Sequence, residues 1–544
     1  MVRIHAAYFP AGDEFSLVVS STRFFHPHIG EWFSHGFSGY FSPYPDLSLP
    51  NSNFLRPVAN ITYFLDSVVF GRHWSYYLWG NYLIEMALVV TVWYLARICF
   101  RLPAPVSLLI TISAALSQAF SYQAIFRPSF AFDLLGALWA LLALLSLLRQ
   151  HWLLAWLFVL LAVLTKESAY YVAVAASAAT LLLLWRLPLV QKFSRSAAYL
   201  VPLLLVVVLR KLDFEGGQGV YVLNELAGAN PVKRIVLSLT HWPYLLPGEQ
   251  HVFAFSAHNL FSLLLTATIW ILLLILCVHA LRGDRNAVAL NELLTEPSVA
   301  NTRILIIFLA GSLLLPLGLD LGPRFGASTT PLLFLCLGNL AATVQRSLLV
   351  KVVSIVVLAV TFIADAASFV DALTGSPMHR EQALWARSRN MVDLLSREQE
   401  PVVFLVGDAT ESFSSPYFVQ RFAGYHGTIV PVSNLGVGDC PREELTVTPE
   451  SDSVYYIHSV DACGGNRLSG TFHMTAGPIR TFIRLLPQAN VTYSARKGGW
   501  KDGQFSSEDL DIRIAPKIPS FAIVYPVSEK ASSLVRISSA SSKP

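Results

Sequence analysis

The chain alternates long apolar runs with short polar connections. Runs long enough to cross roughly 30 Å of hydrocarbon at 1.5 Å per helical residue fall near 78–98, 105–126, 131–148, 152–166, 168–186, 197–210, 260–281, 303–320, 328–344 and 350–366. This pattern predicts about ten transmembrane helices. The fourth and fifth are separated only by Thr165-Lys166-Glu167, which predicts a tight helical hairpin with charge in its turn. Ahead of the first run, Phe15 to Phe41 is aromatic and amphipathic, and Phe54 to Phe70 carries apolar residues at helical spacing. Both stretches suit helices lying in the membrane interface. Beyond about residue 366 the pattern changes: Pro401 to Asp408 reads as a buried strand ending in a turn, and Ser453 to His458 as another. The predicted class is therefore mainly α, a polytopic transmembrane bundle (78–366) between an exterior segment with interfacial helices (1–77) and a small exterior α/β or β-rich domain (367–544). The tail from Ser528, rich in Ser and Lys, has the composition of a disordered segment.

Basic residues set the expected orientation, because Lys and Arg near helix ends stay on the cytoplasmic side. Arg97 with Arg101, Arg149, Arg186 with Lys192 and Arg195, Arg282 with Arg285 and Arg303, and Arg346 with Lys351 occupy alternate loops. The first 77 residues, the long 211–258 loop and everything after about 366 then face the exterior. With no signal peptide or full spanning stretch in the first 77 residues, the expectation is either a spanning helix upstream of Asp13 or unaided translocation of the N-terminus.

Composition agrees with a membrane setting: of 544 residues, 54% are apolar and only 14% charged, and the mean hydropathy is +0.52, beyond what a soluble core needs. The net charge of +4 is spread through loops without a basic run, which argues against a nucleic-acid partner. Cys99, Cys277 and Cys336 sit in apolar runs, whereas Cys440 and Cys463 sit in the polar C-terminal region and are the pair expected to bridge. That disulfide would contribute about 3 kcal/mol on the chain-entropy account.

Charge changes the picture most where it interrupts the apolar runs. Asp13 with Glu14, Arg56, Arg127 with Asp133, Lys166 with Glu167, Arg210 with Lys211, and Arg324 all fall at segment ends on the predicted exterior face. An ionisable group at the bilayer centre costs about 2.5–3.5 kcal/mol on insertion scales, so a set gathered at one face asks for a shared polar task. In Gly12-Asp13-Glu14-Phe15, partial desolvation would make Asp13 a candidate general base; the alternative is a solvated acidic pair in an exposed loop. Arg56 precedes Pro57, so it belongs at a helix start, where guanidinium and free backbone N–H groups together hold an anion such as phosphate. A snorkelling Arg at headgroup level is the competing explanation. Asp133, one turn inside its run, needs a partner, and Arg127 is near enough in sequence to serve, in which case the two form a structural pair. Lys166-Glu167 reads as the rim of a cavity or as a solvated turn. With Arg210, Lys211 and Arg324 at the same level, the cations make a phosphate-binding rim. His26, His28 and His35 lack metal-ligand spacing, and Glu215-Gly-Gly-Gln-Gly219 follows no strand, so no metal and no cofactor is expected.

In order, Asp13-Glu14, Arg56-Pro57, the Phe70-Gly71 to Asn81 stretch, Asp133, Lys166-Glu167 and Arg324 resemble the multi-spanning glycosyltransferases of the C superfamily (GT-C), over roughly residues 10–365. That family includes protein O-mannosyltransferases and lipid A aminoarabinose transferases, which use polyprenyl-phosphate sugars as donors. Two departures are the missing first helix and Phe325, where a Tyr commonly follows the Arg. The resemblance implies a GT-C-like bundle with Asp13 as base, Glu14 orienting the acceptor, Arg56, Lys166 and Arg324 around the lipid phosphate, and Asp133 and Glu167 positioning those cations. It implies direct, inverting, metal-independent transfer to a hydroxyl of a glycan, lipid or protein acceptor. With the bacterial cast of the composition, it places a multi-pass protein in a bacterial inner membrane, its active site and C-terminal domain periplasmic. The readings from other classes are a secondary transporter, for which no internal repeat is visible and Glu85 is the one charge well inside a predicted span, and a non-catalytic relative that binds a lipid-linked sugar.

Overall fold

The computed structural model describes residues 8–10, 57–117, 119–120, 131–184, 188–213, 257–282, 297–314, 327–343, 347–396, 402–407, 422–426, 428–432 and, within 443–527, the strands given below. The chain forms two compact units, one of Ser21–Met378 and one of Met1–Ser20 with His379–Pro544.

The described part of the larger unit is helical: α1 Pro57–Phe70, α2 Tyr77–Tyr94, α3 Ala104–Leu116, α4 Ala131–Leu148, α5 Trp152–Thr165, α6 Tyr171–Leu183, α7 Leu189–Ala197, α8 Val201–Asp213, α9 Ala257–Arg282, α10 Pro297–Leu314, α11 Thr329–Thr343 and α12 Leu348–Thr374. Five helices are long and apolar enough to cross a membrane: Trp74–Cys99, Ala131–Leu148, Leu189–Val208, Leu264–Leu281 and Leu348–Thr374. The protein is a multi-pass membrane protein on that ground. The other five predicted runs contain shorter apolar helices, Ala104–Leu116, Trp152–Thr165, Glu167–Leu183, Val299–Leu313 and Thr329–Ala342. Among the described residues the expectation of about ten full crossings is thus narrowed to five, because an apolar run on its own does not give a helix of about 20 residues.

Helix α4 is buried nearly all round, from Ala131 to Leu147, and its neighbours α2, α5 and α6 pack against it. Its Leu- and Ala-rich sequence suits that position, since long Leu side chains fill the interhelical space and Ala lets backbones approach. Close approach recurs where glycine sits at a crossing. A Cβ at Gly338 of α11 would run into Ile110 of α3, and one at Gly311 of α10 would lie 3.1 Å from the Tyr171 ring of α6. Where bilayer replaces water, polar side chains must find partners inside the bundle. Helix α12 shows the pattern: Ser354, Thr361, Asp365 and Ser368 recur on its buried face, and the three hydroxyls return to carbonyls of the helix itself, at Val350, Leu358 and Ala364. The opposite surfaces are apolar and open, for example Leu83, Met86 and Val90 on α2 and Ile355, Val356 and Ile363 on α12.

Helices α4 and α5 form an antiparallel hairpin through Arg149-Gln150-His151. The N–H of His151 bonds the carbonyl of Ser146 (2.8 Å) and that of Gln150 the carbonyl of Leu147 (2.9 Å), the two bonds of a Schellman cap. The cap holds Gln150 at φ +60°, a conformation that favours glycine.

In the smaller unit, Tyr8 and Phe9 pack on α13 (Ser376–Leu395) and its surroundings: Tyr8 meets Trp385 edge-on at 5.2 Å, Phe9 meets Phe422 at 5.8 Å, and Arg389 lies 5.4 Å over the Phe9 ring. Strands β1 Val402–Gly407, β2 Thr428–Val432, β6 Arg480–Leu485 and β11 Phe521–Val527 pair in the order β2-β1-β11-β6. A second group, β3 Glu443–Ser451, β4 Val454–Asp461, β5 Asn466–His473, β7 Val491–Lys497 and β10 Asp509–Ile514, pairs in the order β5-β4-β3-β10-β7, and the short β8 Trp500–Lys501 pairs with β9 Gln504–Phe505.

Substituting Gln150→Gly should relieve the left-handed strain at the hairpin and stabilise the protein by about 1 kcal/mol. Thermal unfolding of the detergent-purified protein followed by circular dichroism reads the gain, and an unchanged or lower midpoint counts against the cap.

Candidate functional site

The hairpin geometry brings two of the candidate site residues together. Because α4 and α5 run antiparallel, the first turn of α4 is level with the last turn of α5. Asp133 lies in that first turn. Lys166 caps α5 in extended conformation (φ −161°, ψ 150°) before the short 3₁₀ turn Glu167–Ala169. Lys166 Nζ forms an ion pair with Asp133 Oδ1, with side-chain exposures of 5% and 1%. Gly136, three residues on from Asp133, faces the same corner: a Cβ there would meet Ala169 at 3.7 Å and Thr165 at 4.0 Å, an ordinary contact. The ammonium also lies 4.6 Å from the centre of the Phe132 ring, which adds cation–π attraction in a dry setting.

Pairing therefore joins residues 33 positions apart in the chain, where sequence proximity had favoured Arg127 for Asp133. A turn of helix separates neighbours in sequence, whereas an antiparallel hairpin superimposes its two ends. Lys166 is buried, not a solvated rim cation; Glu167 beside it is half-buried. Of the pair's polar atoms, Asp133 Oδ2 is buried and has no hydrogen-bond partner. A carboxylate oxygen left open in an apolar corner costs on the order of 1–3 kcal/mol, and a ligand hydroxyl would satisfy it.

The remaining candidates divide by position. Arg210 and Lys211 belong to α8, with side chains outside the described residues. Asp13, Glu14, Arg56, Arg127, Arg324, Cys440 and Cys463 lie outside the described residues altogether, as does any bridge between the two cysteines. The described cysteines, Cys99, Cys277 and Cys336, are free thiols.

Among the described residues of the larger unit, three more carboxylates are buried or face inward. Asp66 on α1 is 9% exposed, and its Oδ1 lies 3.1 Å from where a Cβ at Gly80 of α2 would be. Burial pushes its carboxyl up to about 7. The legible signal was its place on the stripe Ala59, Thr62, Asp66, Phe70, which faces the bundle. Glu85 lies on the inward stripe of α2 between the buried Asn81 and Leu88. Asp365, 1% exposed on α12, leaves Oδ2 without a hydrogen-bond partner.

Comparison with protein-family models, with curated proteins and with solved structures finds no match for the chain.

Asp133→Asn should strand the Lys166 ammonium in an apolar corner and cost about 3–5 kcal/mol, while the double change Asp133→Leu with Lys166→Met should restore most of that stability. Thermal unfolding of the three proteins in detergent checks it; a single variant as stable as the parent would mean that the ion pair is solvated. At Asp66 the sign follows from a folded value of about 7 above an unfolded one near 3.9. The folded state keeps a proton that the unfolded chain sheds, so stability is greatest below about pH 4 and declines as pH rises to about 7. Asp66→Asn should flatten that decline and raise the unfolding midpoint at pH 8 but not at pH 4, as read by a pH series of melts.

Proposed function

We propose that the protein is a membrane-embedded glycosyltransferase that moves a sugar from a polyprenyl-phosphate carrier to an acceptor hydroxyl, on a GT-C-like bundle with its site and C-terminal domain at the exterior face. One observation carries the reading: the Lys166–Asp133 pair, an ammonium neutralised in an apolar corner by a carboxylate whose second oxygen remains open. Such a corner suits a ligand that is both anionic and rich in hydroxyls. The phosphate oxygens of a lipid-linked sugar would approach the ammonium, and a sugar hydroxyl would donate to Asp133 Oδ2. The order of charged residues from Asp13 to Arg324 along the chain supports the same reading.

A sugar linked through phosphate already carries a good leaving group. The protein's work is to take the proton from the acceptor hydroxyl and to stabilise the departing phosphate dianion. In this scheme Asp13 accepts the proton, Glu14 orients the acceptor, and the acceptor oxygen attacks the anomeric carbon from the side opposite the phosphate, inverting it. Lys166, Arg56 and Arg324, with Arg210 and Lys211 as further cations, meet the phosphate, Asp133 and Glu167 hold those cations in place, and Arg127 supports Asp133. The 211–258 loop is long enough to close over the donor.

A secondary transporter is the second reading, favoured by Glu85 at mid-helix and by the open oxygen of Asp365, since intramembrane carboxylates mark ion and proton paths. Purified protein incubated with a labelled polyprenyl-phosphate sugar separates the two. Transfer or slow hydrolysis is expected, abolished in Asp13→Asn at unchanged expression and reduced at low donor concentration in Arg56→Ala. Retention of most activity in Asp13→Asn removes it from the role of base. No turnover or donor binding, together with solute uptake into proteoliposomes that Glu85→Gln or Asp365→Asn stops, establishes the transporter.

A further inference from the structure

At the far end of α4 from Asp133, about 24 Å away along the helix, a cleft of about 310 Å³ opens between α2, α4 and α5. Its walls are apolar, formed by Leu142, Leu145, Leu154 and Phe158, and its mouth carries Arg149 and His151. Phe158 is held by stacking on Trp139 at 5.8 Å. Arg149 is exposed; it donates to Tyr94 Oη at 3.0 Å and lies 5.5 Å over the Tyr94 ring. No carboxylate among the described residues pairs with it. The tyrosine thus fixes the guanidinium at the mouth without neutralising it.

The surroundings show what the cleft opens onto. Leu153 and Leu157 on α5 and Trp93 and Ile98 beside Tyr94 are exposed apolar side chains, and in a chain with bilayer-crossing helices such faces meet acyl chains. Helix α7 opens the crossing segment Leu189–Val208; Leu189, Val190 and Phe193 are exposed along one side, and Lys192 and Arg195 stand on another, basic residues near a crossing end that mark the level of the headgroups. Tyr199 and Ala198, just after it, tie this helix to the first turns of α5: Tyr199 Oη donates to the Trp152 carbonyl (3.1 Å) and Trp156 Nε1 donates to the Ala198 carbonyl (3.0 Å). That level therefore passes by the α4–α5 corner, where Arg149 and His151 stand.

We propose that this cleft holds one anionic phospholipid, with its phosphate on Arg149 and His151 and an acyl chain along Leu142, Leu145, Leu154 and Phe158. The walls decide for a lipid over free phosphate, because inorganic phosphate would leave the apolar floor uncovered. The guanidinium decides for an anionic headgroup over a choline one, because a second positive charge at the mouth would be repelled. The site is separate from the Lys166 corner and does not depend on the transferase reading.

Native mass spectrometry of the full-length protein, purified with equal amounts of phosphatidylglycerol and phosphatidylcholine, tests it. One phosphatidylglycerol should survive delipidation in preference to phosphatidylcholine. Arg149→Gln with His151→Gln should lower its retention about tenfold, the scale of one charge-assisted hydrogen bond. Leu154→Trp, at an exposed position that fills the cleft from the bilayer side, should do the same with Arg149 and His151 kept and the fold undisturbed. Lys192→Gln with Arg195→Gln should leave the lipid in place. Equal retention of the two lipids, retention unchanged in both cleft variants, the same loss from the α7 variant, or displacement by inorganic phosphate alone would each overturn the proposal.

Discussion

The constraint on which the larger unit depends is that a bilayer supplies no hydrogen bonds, so each polar group must be answered from within the chain. The Lys166–Asp133 pair is the sharpest case. Either charge alone would be several kcal/mol too costly to bury, and neither α4 nor α5 carries a second charge at that end with which to share it. The α4–α5 hairpin sets the two helix ends side by side, and the pair they form there is neutral. Packing and electrostatics are one arrangement here. The same rule explains smaller features: the hydroxyls of α12 that turn back to their own helix, and Asn339 of α11, which reaches Thr302 of α10 across a buried crossing at 2.5 Å.

Interhelical contact in this setting draws little from the hydrophobic effect, because lipid tails are as apolar as Leu. Close fit and a few polar bonds must serve instead. The glycines at Gly311 and Gly338 and the alanine-rich faces of α4 and α6 meet that demand. They also limit how the bundle tolerates change: a methyl group added at Gly311 presses on the Tyr171 ring, which cannot move aside as freely as an aliphatic chain end. A bundle built this way leaves little room for added volume where small residues touch.

Much of the helical layout was legible in the primary structure, because apolar runs and charged punctuation report directly on burial. Each predicted run contains an apolar helix, and the charged corner at Thr165-Lys166-Glu167 falls where α5 gives way to a 3₁₀ turn. Helix length was less legible: the run 105–126 yields a helix that stops at Leu116, where Ser117 turns to extended backbone. Pairing was hardest to read. Asp133 looked to its sequence neighbour because periodicity carries no record of which helix ends meet. Asp66 escaped notice for a related reason: a single Asp in an amphipathic stretch looks like solvent-facing polarity until the stripe through Ala59 and Thr62 is seen to point inward.

The buried carboxylates bear on the choice between readings. In a transferase the acid groups belong at one end, where a lipid-borne phosphate and a water-borne acceptor meet; Asp133 is at such an end, level with the α5 terminus. In a transporter they belong near mid-helix, and Glu85 is there, eight residues into an 18-residue helix. The two positions answer different needs. Asp133 is consumed by its ammonium partner and offers one oxygen, which suits the positioning of a bound ligand. Glu85 shares its inward stripe with Asn81 one turn away, and in low dielectric an amide can hydrogen-bond a carboxyl group without adding a charge. A carboxyl group satisfied in that way within its own helix needs no solute to pass it. Depth alone therefore does not make Glu85 a transport site, and the transferase reading rests on the Lys166–Asp133 corner.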